Sequence, residues 1–264
     1  MSEFWQDTSI EKISDNLWRG QVSERWNVGT VPNGGYLMAI AARTLREALH
    51  HDDPLTITGH FVDRALNGPA DLQFEQIRLG KTVSTGALRF VQEGIERARF
   101  TATFGDLDRT EGESWMLEPK PVPENPQAFL KSPRFLAIHD RVEMLFDPDK
   151  ARWMKADFSG KPEHLIRYRF RDGTEPDVLS LPFFADCVPP TVFAKFGPMG
   201  WVPTLELTLH VRAKPAPGEL LGRFLTRYLI NGLMEEDGEI WDSEGKLVAI
   251  CRQLARYRAS TSFL

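Results

Sequence analysis

The sequence predicts a duplicated α+β fold in which each copy is a helix lying on a meandering antiparallel sheet. The first observation is an internal repeat. Leu55-Thr56-Ile57-Thr58-Gly59-His60-Phe61-Val62-Asp63-Arg64-Ala65, then Pro69-Ala70-Asp71-Leu72, has a counterpart in Pro203-Thr204-Leu205-Glu206-Leu207-Thr208-Leu209-His210-Val211-Arg212-Ala213, then Pro217-Gly218-Glu219-Leu220. Arg64 to Arg212 and Asp71 to Glu219 are both steps of 148 residues. The second is size: 264 residues, 42% hydrophobic and 26% charged, suit two cores of about half a chain each. The third is a single helix pattern followed by strand-like runs at regular spacing. A duplicated fold lets one copy keep chemistry that the other has lost, so differences between the copies mark the site.

In the first unit, Pro32-Asn33-Gly34-Gly35 is turn chemistry, and the spacing of Leu37, Ile40, Ala41, Leu45 and Ala48 predicts a helix over 36–49 with one buried face. Strands are expected over 55–62, 72–79, 83–91 and 97–104, divided by Asn67-Gly68-Pro69, Gly80-Lys81 and Glu93-Gly94. The charged run 106–113 and Glu118-Pro119-Lys120-Pro121-Val122-Pro123-Glu124-Asn125-Pro126 cannot build a helix or inner strand. This gives an N-terminal unit over 1–106, a proline-rich linker over 107–136 and a C-terminal unit over 137–264. The second unit offers strands near 141–146, 152–157 and 165–171, an apolar segment over 179–196 where the first unit has its helix, then strands at 204–212, 220–230, 238–242 and 247–256.

Composition narrows the function. A net charge of -5 provides no basic field for nucleic acid. Two cysteines, Cys187 and Cys251, make neither a disulfide framework nor a thiolate metal cluster, which suits a reducing, cytoplasmic setting. The acidic N-terminus lacks a basic region followed by an apolar run, and no apolar stretch reaches ~18 residues, so neither export nor a membrane partner is expected. A Gly-x-Ser-x-Gly elbow, a P-loop and a dinucleotide fingerprint are absent from the sequence, which argues against a serine-nucleophile hydrolase and against nucleotide chemistry. His50-His51-Asp52-Asp53 has poor geometry for converging on a metal and reads as a solvated helix end. His60 and His210 read as sheet histidines.

A repeated helix cradled by a curved antiparallel sheet resembles the double hotdog fold, two tandem hotdog units, of acyl-CoA thioesterases. Leu17-Trp18-Arg19-Gly20, Asn33-Gly34-Gly35-Tyr36, Arg78-Leu79-Gly80-Lys81 and Val91-Gln92-Glu93-Gly94 in the first half are similar to acyl-CoA thioesterase II and its thioesterase-superfamily relatives. Ala185-Asp186, Thr204-Leu205-Glu206 and Gly245-Lys246-Leu247-Val248-Ala249 through Gln253 extend the likeness across the second half. The resemblance implies hydrolysis of an acyl-CoA to free acid and coenzyme A, with no cofactor or metal. It also implies a catalytic set of Asp186, Thr204 and Gln253 that jointly holds a water. A thioester carbonyl is already electrophilic, so the enzyme has mainly to orient and partly deprotonate water and steady the oxyanion. Asp186 would be the base, its pKa raised by Phe183, Phe184 and Val188, with Thr204 and Gln253 fixing the water.

The 148 offset sets Thr204 on Thr56, while the Asp186 region falls near Gly34 or Gly35 and Gly94/Gly245 brings Gln253 onto Ala102. The first copy is thus expected to keep the threonine and lack its partners. Taken singly, Asp186 reads as a helix residue bonded to backbone, and Thr204 and Gln253 as ordinary strand residues; the set matches one family's pattern. Gly34-Gly35-Tyr36 at a helix start has two open readings, a donor set for an oxyanion or phosphate, or a tight turn with close packing. With Phe183 and Trp201, these residues are the candidate substrate-binding set; Met199, Phe193 and Phe196 are further tunnel candidates. Arg78, Lys81, Arg171 and Lys214 are candidates for coenzyme A phosphates.

Pro189-Pro190 predicts a broken or kinked helix after Asp186, because proline lacks the N–H that a helical carbonyl needs. This is the main sequence feature favouring the alternative, a non-catalytic acyl-CoA or lipid-binding protein on the same fold. A hotdog hydratase or dehydratase ranks third, since its Asp-x-Asn-Pro-x-His motif is absent from the sequence. Glu206, two residues from Thr204, is expected on the same strand face. Sheet edges of this fold commonly pair with another chain, so a homodimer or higher homo-oligomer is expected.

Overall fold

The computed structural model describes residues 2–123, 125, 127–198 and 202–258. A short helix α1 (Glu3–Asp7) leads into β1 (Ile10–Ser14) and β2 (Leu17–Val22). A two-residue ladder follows, β3 (Asn27–Val28) with β4 (Val31–Pro32), and then helix α2 (Gly34–Leu49). The first half continues with β5 (Asp53–Phe61), β6 (Gly68–Arg78), β7 (Ser84–Gln92) and β8 (Ile95–Gly105). Next come β9 (Leu130–Lys131), β10 (Val142–Phe146), β11 (Glu163–Phe170) and two short helices, α3 (Leu181–Asp186) and α4 (Phe193–Phe196). The chain closes with β12 (Thr204–Val211), β13 (Leu220–Leu225), β14 (Leu229–Ile230), β15 (Leu233–Trp241) and β16 (Leu247–Arg256).

All strands but β3 and β4 join one antiparallel sheet in the order β1-β2-β6-β7-β8-β5-β12-β16-β15-β13-β11-β10-β9, with β14 on β15. The halves meet at β5 and β12, where Thr58 pairs with Thr208 and their hydroxyls lie 2.8 Å apart. A local two-fold passes through this pair, so the sheet superposes the halves at a step of 150 here, two more than the 148 of the flanking motifs. Gly68 and Gly218, at the same step, both hold positive φ, 117° and 114°.

Alternation placed the long strands, and the exceptions have local causes. The stretch near 152–157 is a 3-10 turn (Arg152–Lys155) instead of a strand, and 220–230 is divided between β13 and β14. Within the expected linker, Leu130–Lys131 pairs with β10. The first half also begins earlier, because β1 and β2 extend its sheet beside β6. Helix α2 is buried on all sides from Gly35 to Ala42, about two turns. The two expected cores merge into one large cluster. Phe4 of α1 packs on Phe170 and Phe183, and Trp26 meets Phe183 edge-on with ring centres 5.0 Å apart. Burying several such rings, each removing about 150–250 Å² from water, fastens the N-terminal segment to the C-terminal half.

The second unit lacks a long helix. α3 stops at Asp186, and five residues beyond it, after Pro189-Pro190, Thr191 begins the turn into α4. The expected break is present.

Candidate active site

The site forms where the start of α2 meets the end of α3. Asn33 caps α2: its Oδ1 accepts the Tyr36 N–H at 2.9 Å, the usual stabilisation of an open helix start. Its Nδ2 donates across the half-to-half seam to Asp186 Oδ2 at 2.8 Å and to the Asp186 backbone carbonyl at 2.9 Å. The proline break deprives that carbonyl of a helical donor, and Asn33 replaces it. Gly35 N–H donates to the same Oδ2 at 2.8 Å. Two donors and the positive end of the α2 dipole therefore converge on one carboxylate oxygen.

The contact requires glycine. A Cβ on Gly35 would sit 2.3 Å from the Pro182 carbonyl oxygen and 2.8 Å from Asp186 Cβ; one on Gly34 would sit 2.8 Å from the Phe61 ring and 3.1 Å from Asp186 Oδ2. Gly35 thus packs against α3 and Gly34 against Phe61 of β5, and the Gly35 N–H is already committed to Asp186.

Thr204 and Gln253 arrive on neighbouring strands, and a β-bulge decides how. β12 pairs with β16 through Leu207–Gln253 and Glu206–Leu254, then skips Leu205 so that Thr204 pairs with Ala255. Paired residues share a face, so the extra residue turns Thr204 inward beside Gln253, while Glu206 stays on the outer face opposite His60. This corrects the expectation that Glu206 and Thr204 share a face; Glu206 instead accepts the Thr208 hydroxyl. Thr204 Oγ1 donates to Gln253 Oε1 at 2.8 Å, and Gln253 Nε2 donates to Glu236 Oε1 at 2.9 Å. Glu236 Oε2 accepts both the N–H and the hydroxyl of Thr191 at 2.8 Å, and Thr191 bonds Thr226.

Burial raises the Asp186 pKa to about 6, opposed by the Gly35 and Gly34 N–H groups and the Asn33 amide, with the Thr204 hydroxyl close by. Some of its surface still meets solvent. Glu236 is 2% exposed, and burial, with a contribution from the Asp186 charge, pushes its pKa up as well.

The step of 150 changes the internal comparison. β5 carries the same bulge, pairing Pro54 with Phe104 and Thr56 with Thr103, so Pro54 is the counterpart of Thr204 and Thr56 that of Glu206. Gln253 matches Ala102, as expected, and Glu236 matches Gly86. The first half keeps no threonine; the earlier alignment was two residues out of step.

The other candidates divide. Tyr36 and Phe183 are fully buried: the Tyr36 hydroxyl donates to the Asp7 carbonyl and accepts the Ser23 N–H, and its ring stacks on Trp26, while Phe183 packs among Phe4, Trp26 and Phe170. They brace the site from behind. Trp201 and Met199 lie outside the described residues. Lys214 pairs with Asp53 and Asp108, and Arg171 with the His139 carbonyl and Glu143. His50 ends α2 in a left-handed conformation, and His51 bonds the Gly80 carbonyl. A surface hollow of about 820 Å³ beside these histidines, lined by Arg43, Arg46 and Asp52, is at the opposite end of α2 from Asp186.

Sequence reasoning missed the bonding roles of Asn33, Thr191 and Glu236. Asn33 carried an N-cap signal ahead of Gly34-Gly35. Glu236 is in phase with the buried Met234, Gly238 and Ile240, which marked it as inward despite its acidic neighbours.

Family models match both halves: the acyl-CoA thioesterase N-terminal domain over residues 22–105 and the acyl-CoA thioesterase C-terminal domain over 116–257. The chain belongs to the acyl-CoA thioesterase family. Among solved structures, a Thermobifida fusca protein described as a candidate thioesterase II is 28% identical, with a TM-score of 0.90 over 98% of each chain. The acyl-CoA thioesterase II of Mycobacterium marinum shares the fold at 17% identity, with a TM-score of 0.77 over 98% of this chain and all of its own. An uncharacterized Mycobacterium tuberculosis protein is 23% identical over 263 residues, spanning 90% of each chain. Membership confirms the α+β double hotdog class, and no described helix is long and apolar enough to cross a membrane.

Within this thioesterase fold, Asn33 joins the two hotdog units. Asn33→Ala removes the α2 cap and a donor to Asp186 together, so a loss of about 2 kcal/mol is expected in urea denaturation, against about 1 kcal/mol for an ordinary cap.

Proposed function

We propose that this thioesterase hydrolyses acyl-CoA thioesters with Asp186 as general base and with Thr204 and Gln253 orienting the water. The observation that carries the reading is the convergence of Asp186, Thr204 and Gln253 at one place, linked by a hydrogen bond between Thr204 and Gln253. Water attacks the thioester carbonyl carbon and passes a proton to Asp186. The C–S bond then breaks, and the departing thiolate takes that proton, giving the free acid and coenzyme A. A carboxylate with a pKa near 6 is a stronger base than an exposed aspartate and is still ionised at neutral pH. The unsupported carbonyl that favoured a non-catalytic protein is met by Asn33, which leaves the carboxylate held instead of displaced.

Thiol release from short, medium and long acyl-CoAs tests the proposal. The proton on Asp186 is lost above pH 6, so the rate should plateau at neutral pH and fall about tenfold per unit well below 6. Tight acyl-CoA binding without hydrolysis would favour the binding protein instead.

A further inference from the structure

Glu236 offers only acceptors to its neighbours. Its Oε2 takes the two Thr191 donors and its Oε1 the Gln253 amide. The three donors that Glu236 accepts oppose its burial and favour the ionised form, which has no proton to give, so Gln253 turns its NH₂ toward Glu236 and its carbonyl toward Thr204. Thr204 then has to donate its hydroxyl proton to that carbonyl, and its oxygen is left with lone pairs toward the site. We propose that Glu236 is a positioning residue: it fixes the direction of this hydrogen-bond chain so that Thr204 accepts one proton of the attacking water while Asp186 accepts the other. The inference rests on the hydrolytic reading above.

The first half supports it. There Gly86, Ala102 and Pro54 replace Glu236, Gln253 and Thr204, so the chain of bonds is present as a whole in one half and missing as a whole in the other. The titratable groups facing the pair are Asp186 on α3, Cys187 next to it and Cys251 on β16. Burial and the neighbouring carboxylate charges push both thiols up and keep them protonated. The Asp186 charge raises the proton affinity of Glu236.

Glu236→Gln tests the direction. The new amide can meet Thr191 with its carbonyl, but it presents an NH₂ to Gln253. Gln253 must flip and donate to Thr204, which then gives its own proton to Asp186. The carboxyl titration of Asp186, followed by ¹³C NMR, needs no turnover and should move down by about one pH unit. In the same variant kcat should fall about tenfold with KM within about twofold, the signature of an interaction made in the transition state. Glu236→Asp, which keeps the charge, should titrate near the parent. Gln253→Met cuts the chain without touching the Thr191 bonds and should shift Asp186 in the same sense, which keeps the test open if Glu236→Gln does not fold. An unmoved Asp186 titration in a folded variant overturns the proposal. A shifted titration in the variants, together with a parent that cleaves no acyl-CoA, would uphold the bond direction and remove the hydrolytic reading.

Discussion

Asp186→Asn should lower kcat on acyl-CoA by about a hundredfold or more and, at pH 8, make the protein more stable. The amide oxygen can still accept from Asn33 and Gly35, so the joint between the halves keeps its two bonds, but no base is left to take a proton from water. Stability moves the other way because the folded pKa, about 6, lies above the ordinary aspartate value of 3.8. The native state then binds the proton more tightly than the unfolded chain. Stability from this group is complete below the unfolded pKa and is lost as pH rises through about 6. The neutral amide escapes that loss, worth about 3 kcal/mol at pH 8. Urea denaturation at a series of pH values should show the variant's advantage shrinking from pH 8 toward pH 4. A variant less stable than the parent at pH 8 would mean that the carboxylate is not held against its burial.

Gly35→Ala should be the most damaging single methyl in the molecule. Alanine is the better helix former by about 1 kcal/mol, and the φ at Gly35 is not positive, so propensity alone predicts a gain. Packing decides the sign. The added carbon would stand 2.3 Å from the Pro182 carbonyl oxygen, 2.8 Å from Asp186 Cβ and 3.0 Å from Phe183 Cα. Two of these three atoms belong to backbone, and α3 carries a stack of aromatic rings behind it, so relief requires moving the helix. A net loss of about 3 kcal/mol is expected, with a fall in Tm of about 8 °C. Since the Gly35 N–H bond to Asp186 would lengthen, activity should drop with it, measured as thiol release at a temperature where the variant is fully folded. A melting temperature within about a degree of the parent would show that α3 can yield.

Much of this was legible in the sequence because period and turn chemistry are local. Strand-like runs, several of them bounded by turn residues, located β5, β7, β8, β12 and β16 within a few residues, and the three-and-four spacing of Leu37, Ile40, Ala41 and Leu45 located α2. The proline pair foretold that the second helix would break. What stayed hidden depends on pairing across the chain. One bulged residue, Leu205, reverses the face of Thr204 relative to Glu206, and nothing local distinguishes it from ordinary alternation. The partners of Asp186 come from the opposite half, so Asn33 read only as turn chemistry. Glu236 was masked by Glu235 and Asp237, whose side chains take the outer face and bond Arg227 and Arg252.

Asn33 and Asp186 stand 153 positions apart, yet each completes the other's bonding. A nascent or truncated polypeptide that has made only the first of them leaves the Asn33 side-chain amide without this partner. The joint between the halves therefore closes only after both have been made and have docked.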